Sequence, residues 1–336
     1  MYNPLVFICA IVAGIITYLA MPWLIKYLRN IGLVVRDQNK DNKPLVPLSG
    51  GLGVFSGFFV GLMFFIFFRT FFNMPGEYAL TLNTTELVLL FAGFISIFLV
   101  TIVGFLDDVL IHKSKEESMG LRQWQKPLLT LVAAIPLMVV NAGTSVMSFP
   151  FIGEVKLGII YAIILVPIGF VGAANMVNML AGLNGLEAGM ALIYLASLGI
   201  YAYAHQQFIA ALVALMAFAS LCAFWLYNKF PAKILPGDSL TYFLGGTLAT
   251  IAILGDMERA ALIVSIPFFV EFFLKLRARF NADSFGVYIN GKIQSKYDKI
   301  YSITHLFMGK GNYTEKQIVW FIVGIQLIFS LLIWII

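Results

Sequence analysis

The sequence predicts an all-α polytopic membrane protein, and composition, hydropathy and the recurrence of apolar runs support this fold class. Hydrophobic residues make up 60% of the 336-residue chain, charged residues only 12%, and the mean hydropathy is +0.91. A soluble domain needs more surface charge than this to stay dissolved. Apolar runs recur at roughly the 20-residue length that crosses about 30 Å of hydrocarbon. We therefore expect one integral membrane domain over residues 1–336.

About ten transmembrane helices are predicted, and the short runs at 127–142 and 239–254 leave this count open by one. The first run lacks a basic segment ahead of it and a small-residue cleavage site, so we interpret it as a retained helix. The predicted spans, in chain order, are 5–25, 50–72, 87–106, 127–142, 157–175, 187–204, 207–227, 239–254, 259–276 and 317–336.

Basic residues set the predicted orientation. Of the 22 Lys and Arg residues, 19 lie in four polar segments, which the positive-inside rule places in the cytoplasm. The opposite face keeps Arg69, Lys156 and Arg259, so both termini are predicted to lie outside. The longest basic segment also carries aromatic residues, and we expect it to be a structured, substrate-binding cytoplasmic loop. The four segments are 26–49, 107–126, 228–238 and 275–316.

Charge and cysteine usage exclude several function classes. The net charge of +5 suits anionic lipid headgroups or phosphates at a membrane surface. The basic residues are not interleaved with aromatics in a soluble domain, so nucleic acid is not an expected partner. Cys9 and Cys222 lie inside apolar runs and are predicted to be packing residues. An enzyme or a transporter that handles a charged cytoplasmic compound at the bilayer surface remains.

An acidic pair ends the third predicted helix at the cytoplasmic boundary. Adjacent residues on a helix point about 100° apart, so Asp107 and Asp108 cannot both serve one ligand equally. One of them can face a metal or phosphate while the other takes a neighbouring base, and the alternative is a solvated helix end. Lys126 opens the next helix, where it can hold a phosphate beside the pair. Its alternative is an interfacial lysine that reaches toward the headgroups.

A polar, glycine-containing segment interrupts the fifth and sixth apolar runs. Asn175 and Asn178 are spaced to share one helix face. Gly182 then breaks the apolar run and permits close backbone approach to a ligand. With Asn184, these side chains are costly inside a membrane unless they line a polar cavity. The alternative is hydrogen bonding between helices.

A short cytoplasmic turn carries another candidate carboxylate. Pro236 and Gly237 make the turn, and Asp238 or Ser239 occupies the position of a helix N-cap. Capping is therefore one reading of Asp238. The other is a magnesium site, because Mg²⁺ sites often use one or two protein carboxylates and let substrate phosphates and water complete the coordination.

Two arginines follow the ninth predicted helix. The alternate spacing of Arg277 and Arg279 suits a loop or extended segment in which both guanidinium groups face one diphosphate. Membrane anchoring by the positive-inside rule is the alternative. Glu271 lies one turn before Lys275, and we interpret the two as a structural i,i+4 pair without a functional role.

Together, these segments resemble the polyprenyl-phosphate N-acetylhexosamine-1-phosphate transferase family. The resemblance rests on three motifs in order: GFLDDV with Lys126 downstream, NMVNMLAGLNGLEAG, and PGDSLTYFLGG. Bacterial members acting on undecaprenyl phosphate usually carry Asp at two positions where this chain has Ala181 and Asn184. The central motif of this chain, NMVNMLAGLNGLEAG, is similar to that of the dolichyl-phosphate branch, and so is the later YINGK stretch.

The resemblance implies a reaction and a set of roles. UDP-GlcNAc and dolichyl phosphate would give GlcNAc-diphosphodolichol and UMP, with Mg²⁺ as the cofactor and Mn²⁺ as its substitute. The enzyme would sit in the cell membrane with its active site on the cytoplasmic face. The metal ligands would be Asn178 and Asp238. The expected catalytic residues are Asp107, Asp108, Lys126 and Asp238, and the expected substrate-binding residues are Asn175, Asn178, Gly182, Asn184, Glu187, Arg277 and Arg279.

The chain departs from the family pattern at two positions. Ala278 stands between the arginines where the dolichyl branch tends to have His, and Leu235 stands where an aromatic residue would stack on uracil. Three alternatives remain: an undecaprenyl-phosphate enzyme of bacterial type, a cation-coupled transporter, and a catalytically inactive scaffold. A transporter would place its polar residues near the bilayer midplane and often shows a repeat. Short outer loops leave room for a homodimer through the helices.

Overall fold

Helices form most of the chain, and short hairpins lie between some of them. The computed structural model describes residues 4–72, 82–113, 120–143, 146–149 and 153–335. In these ranges the helices are α1 (Pro4–Asn30), α2 (Gly51–Phe71), α3 (Thr84–Lys113), α4 (Gln125–Val139), α5 (Val166–Met179), α6 (Leu186–Ala204), α7 (Phe208–Asn228), α8 (Gly237–Leu254), α9 (Glu258–Val264), α10 (Ile266–Arg277), α11 (Ile303–Met308) and α12 (Glu315–Leu332). A π-helical turn, Tyr161–Leu165, leads into α5.

The predicted all-α membrane fold is confirmed. In the described ranges, eight helical stretches are long and apolar enough to cross a membrane. The other two predicted spans coincide with the shorter helix α4 and with the consecutive helices α9 and α10, which meet at Ser265 just before Pro267. Helix α4 also contains a proline, Pro136. The number of crossings and the outside location of the termini stay predictions.

Helix α8 lies at the centre of the packing. In the 18-residue stretch of α8 that could cross a membrane, 83% of the residues are buried, against 33% to 61% for the other seven candidate spans. Helix α8 packs chiefly on α3 and α5. Glycines allow this close approach: a Cβ on Gly104 of α3 would lie 2.2 Å from the Asp238 carbonyl oxygen. On the other side, a Cβ on Gly245 would lie 2.5 Å from the Ala173 carbonyl oxygen. Small residues of this kind drive helix association in membranes.

Antiparallel hairpins lie between some of the helices. Strands β1 (Val34–Arg36) and β2 (Leu45–Pro47) pair between α1 and α2 with Val35 opposite Val46. Strands β3 (Val146–Phe149) and β4 (Gly153–Lys156) follow α4. Strands β5 (Val287–Ile289) and β6 (Lys292–Gln294) pair within the predicted loop 275–316. That segment is therefore structured.

The loop after α10 is anchored by a buried carboxylate. The i,i+4 pair predicted for Glu271 and Lys275 is present at 3.7 Å. Glu271 also accepts hydrogen bonds from the Ser302 hydroxyl at 3.1 Å and the Ile303 amide at 2.7 Å. Glu271 therefore fixes the start of α11 against α10, a task that its sequence neighbours do not reveal.

Gly245→Ala tests the close packing of α8 on α5. The added methyl would meet the backbone of Ala173 and Ala174, so part of the interface must shift. We expect a cost of about 1–3 kcal/mol, as for other overpacked sites, and a lower midpoint of thermal unfolding in detergent.

Gly324→Ala is the matched control, because a Cβ on this α12 glycine meets nothing within 4 Å. Alanine favours a helix over glycine by about 1 kcal/mol, so the control midpoint should stay or rise. Equal midpoints for the two variants would contradict the packing described above.

Candidate active site

The amino terminus of α8 carries Asp238, which lies at the centre of a polar cluster with Asp107, Lys126 and Asn178. The helix begins at Gly237, whose φ of +71° favours glycine. A Cβ at this position would also lie 2.4 Å from a carboxylate oxygen of Asp108. Both the backbone conformation and the close approach of Asp108 on α3 therefore require glycine at position 237, in the turn that the sequence predicted at Pro236 and Gly237.

Asp108 caps α8 from the neighbouring helix. Its carboxylate accepts hydrogen bonds from the Asp238 amide at 2.7 Å, the Ser239 amide at 3.2 Å and the Ser49 hydroxyl at 2.7 Å. The positive end of the α8 dipole adds to this attraction. The N-cap position itself is Pro236, and no side chain of α8 caps its own helix. The reading of Asp238 or Ser239 as an N-cap is therefore wrong.

This geometry gives Asp108 a different task from the catalytic one expected for it. The residue is fully buried, and both carboxylate oxygens are engaged by protein donors. Such a group holds Asp238 and Ser239 in place and does not present an oxygen to a substrate. Asp108 is a positioning residue in this arrangement.

Asp107, Lys126 and Asp238 form a shared ion pair, as the sequence predicted for the first two. The Lys126 Nζ lies 2.5 Å from Asp107 Oδ2 and 3.0 Å from Asp238 Oδ2. Asp107 is buried and also accepts a hydrogen bond from the Leu121 amide, whereas Asp238 stays 19% exposed. Two carboxylates around one ammonium leave a net negative charge, which favours a further cation.

Asn178 supports this cluster through its amide. Its Nδ2 donates to Asp238 at 3.0 Å, and its Oδ1 accepts from the Thr241 hydroxyl at 2.8 Å. The amide oxygen is therefore turned away from Asp238. Direct metal coordination by Asn178, as expected from the sequence, would require the amide to rotate by about 180° so that its oxygen replaces the nitrogen.

The residues present fit Mg²⁺ only together with a phosphate ligand. In the described ranges, no group of three or more His, Cys, Asp or Glu side chains is arranged to hold a metal. Asp238, neighbouring Asp107 and the Asn178 amide provide at most two carboxylates and one amide. Mg²⁺ commonly takes one or two protein carboxylates and completes its octahedron with phosphate oxygens and water.

Asn175 lies about one turn before Asn178 on α5 and hydrogen-bonds across to α4. Its Nδ2 donates to the Thr130 hydroxyl at 2.9 Å and the Val171 carbonyl oxygen at 2.8 Å. The Tyr242 hydroxyl lies 3.5 Å from its Oδ1. Of the two readings of this residue, the structure shows hydrogen bonding between helices, although Asn175 also borders the large cavity described next.

A large apolar cavity opens beside this cluster. Its volume is about 1020 Å³, and it extends from Lys126 and Asn178 to the hydrogen-bonded pair of Tyr161 and Glu258. Gly169 is on its wall, and a Cβ there would meet nothing within 4 Å. Its apolar lining is drawn mainly from the π-helical turn, α5, the end of α8, α9 and α10. The missing side chain at Gly169 leaves room in the cavity rather than serving helix packing.

A second, polar cavity of about 210 Å³ lies on the other side of Asp238. Gly182, Asn184 and Glu187, which the resemblance implied to be substrate-binding residues, line it. Their contact with a substrate stays a prediction. The Gly182 amide donates to Glu187 Oε1 at 2.7 Å. In the described part of the chain, the buried Glu187 Oε2 has no hydrogen-bond partner. An unpaired buried acceptor is costly, so this atom is suited to a ligand donor.

Residues from distant segments complete this cavity, and sequence reasoning missed them. Asn184 donates through its side-chain Nδ2 to Asp37 at 2.9 Å and through its backbone amide to Glu315 at 2.7 Å. Lys40 bridges these two carboxylates, 3.2 Å from Asp37 and bonded to Glu315. Asn39 binds the Gly182 carbonyl oxygen at 2.6 Å. The only available signal was polarity inside basic segments 26–49 and 275–316, which does not distinguish these residues from other loop residues.

The two arginines are not brought to the cluster. Arg277 is the last residue of α10, and Arg279 lies in a turn with a φ of +52°, so of the loop or extended segment expected here the structure shows a loop. Both are exposed, and neither lines either cavity. The Arg277 guanidinium lies 5.6 Å from the Tyr301 ring centroid. This arrangement is one of loop packing, without a diphosphate clamp.

His305 fixes the loop that carries one wall of the polar cavity. Its Nε2 donates to the Asp283 carbonyl oxygen at 2.9 Å, and its Nδ1 accepts from the Tyr301 amide at 3.2 Å. This pairing requires the neutral imidazole. Burial lowers the pKa of His305 below its usual range, which also favours the neutral form.

Known proteins resemble this chain along most of its length. The sequence profile of glycosyl transferase family 4 matches residues 88–256. A Saccharolobus solfataricus protein is 36% identical over 327 residues, covering 96% of this chain and 94% of its own. A Sulfolobus acidocaldarius protein is 34% identical over 330 residues, covering 97% and 94%. Both are provisionally named UDP-N-acetylglucosamine–dolichyl-phosphate N-acetylglucosaminephosphotransferase.

A bacterial enzyme is also similar. The phospho-N-acetylmuramoyl-pentapeptide-transferase of Lactiplantibacillus plantarum is 32% identical over 265 residues, which cover 76% of this chain and 78% of that protein.

Asp108→Asn tests the capping of α8. Asparagine keeps the shape but turns one acceptor into a donor that faces other donors. We expect a loss of about 1–3 kcal/mol for the mismatched buried group, with a lower thermal-unfolding midpoint.

Ser49→Ala removes only one of the three donors to Asp108 and should lower the midpoint less. An Asp108→Asn protein that unfolds at the wild-type temperature would rule out the capping role.

Proposed function

Because this chain belongs to glycosyl transferase family 4, we propose that it transfers GlcNAc-1-phosphate from UDP-GlcNAc to dolichyl phosphate. The products are GlcNAc-diphosphodolichol and UMP. The two archaeal relatives named for this reaction match nearly the whole chain. The bacterial relative covers a smaller part, which favours the dolichyl reading over an undecaprenyl one.

One structural observation carries the proposal: an apolar cavity and a polar cavity meet at a single carboxylate. Lys126 and Asn178 border the large apolar cavity, and both hydrogen-bond to Asp238, which lines the polar cavity. A lipid chain suits the first cavity, and a nucleotide sugar suits the second. Their phosphates would then come together beside Lys126 and Asp238, where the transfer is to occur.

The reaction is one in-line displacement. An oxygen of the lipid phosphate attacks the β-phosphorus of UDP-GlcNAc and forms the new diphosphate bond. The bond from that phosphorus to the bridging oxygen of UMP breaks, and UMP leaves with the electron pair. Little covalent work falls to the protein, so positioning and charge neutralisation supply most of the acceleration.

Lys126 is placed to hold the acceptor phosphate. Its ammonium group has three N–H donors: one hydrogen-bonds to Asp238, and a second side of the group is taken by the ion pair with Asp107. The third can bind a phosphate oxygen at the mouth of the apolar cavity. Asp107 keeps the ammonium in this position from its buried side, so Asp107 acts through Lys126.

Asp238 would hold Mg²⁺, or Mn²⁺ in its place, together with the diphosphate and with the Asn178 amide after rotation. When bound, the metal neutralises charge on the transferring phosphoryl group. Asn184, the Gly182 backbone and Glu187 Oε2 would contact the nucleoside.

The proposed location of the site is the cytoplasmic face of the cell membrane, because the basic segments that surround it follow the positive-inside rule. The short outer loops leave helix faces available for a homodimer.

Asp238→Asn tests both the reaction and the metal role. The variant keeps the size and one acceptor for Lys126 but loses the charge that a metal requires. We expect Mg²⁺-dependent release of UMP from UDP-GlcNAc, with labelled sugar entering dolichyl phosphate in the wild type. In the variant, transfer should fall by roughly 100-fold or more, the scale of losing one electrostatic group at a reacting centre.

Asp298→Asn, at an exposed loop carboxylate, is the matched control and should transfer normally. Release of UDP instead of UMP would contradict the phosphoglycosyl reaction. Normal turnover by Asp238→Asn would contradict the metal role alone.

Gly169→Leu tests whether the apolar cavity holds the lipid. The leucine side chain would enter open space in the cavity and obstruct an occupant. We expect the KM for dolichyl phosphate to rise about tenfold, the scale of small steric changes in apolar pockets. The KM for UDP-GlcNAc should stay unchanged.

Gly324→Leu introduces the same side chain into open space on α12, outside both cavities, and should leave both constants unchanged. A lipid KM that does not respond to Gly169→Leu would place the lipid elsewhere.

A further inference from the structure

The polar cavity has a single aromatic surface. Of the described residues that line it, Phe285 alone is aromatic. Leu235, the position at which this chain departs from the aromatic residue of the family pattern, lines the same cavity. A pyrimidine ring bound here would therefore find one π-surface, and it comes from the loop after α10.

Phe285 lies against the loop that joins α5 and α6. A Cβ on Gly182 would lie 3.5 Å from Phe285 Cδ1, an ordinary van der Waals distance, so the ring lies beside this glycine. The φ of Gly182 is +127°, a conformation that other residues rarely adopt. The ring is half-buried, and its remaining surface lines the cavity.

Asn39 joins the two walls of this cavity. Its Nδ2 donates to the Gly182 carbonyl oxygen at 2.6 Å, and its Oδ1 accepts from the Gly286 amide at 3.2 Å. Asn39 is 1% exposed, so both hydrogen bonds are shielded from water. The amide therefore fixes Phe285, next to Gly286, at a set distance from the wall that carries Asn184.

A cation further restrains the ring. The Lys296 ammonium lies 3.9 Å from the ring centroid of Phe285 and 2.9 Å from Asp283 Oδ2. A cation over one face is attracted to the ring quadrupole. Lys296, and Asn39 through the neighbouring Gly286, thus hold Phe285 before any ligand arrives. Such preorganisation is typical of a binding surface and lowers the entropy cost of binding.

We propose that Phe285 is the aromatic surface on which the uracil ring of the nucleotide packs. It replaces, from a different segment, the ring that is missing at Leu235. The inference rests on the proposed function, because it takes a uridine nucleotide as the ligand. Phe285 provides stacking affinity for a planar base, whereas the hydrogen-bonding groups around Asn184 distinguish one base from another.

The test compares UMP with 5,6-dihydro-UMP, whose base keeps its carbonyl and imide groups but is neither planar nor aromatic. Binding of both to the full-length protein in detergent with Mg²⁺ is measured by titration calorimetry. The wild type should prefer UMP, and Phe285→Leu should lose about 5- to 150-fold in UMP affinity, the range expected for one base stacked on an aromatic side chain. The preference over dihydro-UMP should disappear with it.

Two further variants separate stacking from loop damage. Phe285→Tyr keeps the ring and should keep the preference for UMP. Leu235→Phe, added to Phe285→Leu, should restore part of the preference by returning a ring to the cavity. Tyr288→Leu removes an aromatic from the same loop outside both cavities and should bind UMP as the wild type does.

The outcomes distinguish this inference from the function beneath it. If Phe285→Leu keeps both the UMP affinity and the preference while the wild type transfers sugar phosphate, Phe285 is not the stacking surface and the function stands. If Phe285→Tyr loses the preference as fully as Phe285→Leu, an intact ring is not what matters and the inference is overturned. A wild type that neither binds UMP nor releases it overturns the proposed function and this inference together.

Discussion

The capping of α8 by Asp108 is the interaction on which the site depends. A buried carboxylate on α3 accepts the first free amides of α8 and the Ser49 hydroxyl. Without it, the amides at this buried helix end would lack acceptors, at considerable cost. The cap fixes Asp238 in the first turn of α8. Gly104 and Gly237 allow α3 to approach closely enough for this cap to form. A stability interaction thus determines the position of the proposed reacting centre.

Charge balance explains why this centre is suited to phosphates. One lysine between Asp107 and Asp238 leaves a negative excess, and a metal that arrives with a diphosphate would neutralise it. Because Lys126 also borders the apolar cavity, a lipid phosphate can approach from one side and a nucleotide from the other. In the proposed function both would meet at the membrane boundary, with the lipid chain in the hydrocarbon and the nucleotide among the polar loops.

The polar cavity is assembled from segments that are distant in sequence. Asp37 and Asn39 come from the hairpin after α1, Asn184 from the loop before α6, and Glu315 from the start of α12. Their hydrogen bonds are buried, so each unmade bond would be costly, and the cavity is rigid. Rigid walls suit a catalyst whose main task is to align two phosphates.

Hydropathy and charge are local properties, so the sequence alone predicted the membrane fold and the places of the helical stretches. The resemblance carried by its motifs implied that Asn178 and Asp238 share one site, and Lys126 was expected beside the acidic pair. The packing of distant segments was needed to show that Asp108 caps a helix, that Phe285 lines the polar cavity while Asn39 joins its walls, and that the exposed arginines lie outside both cavities. These outcomes depend on which side chains meet when distant helices and loops pack, and no local pattern encodes such distances.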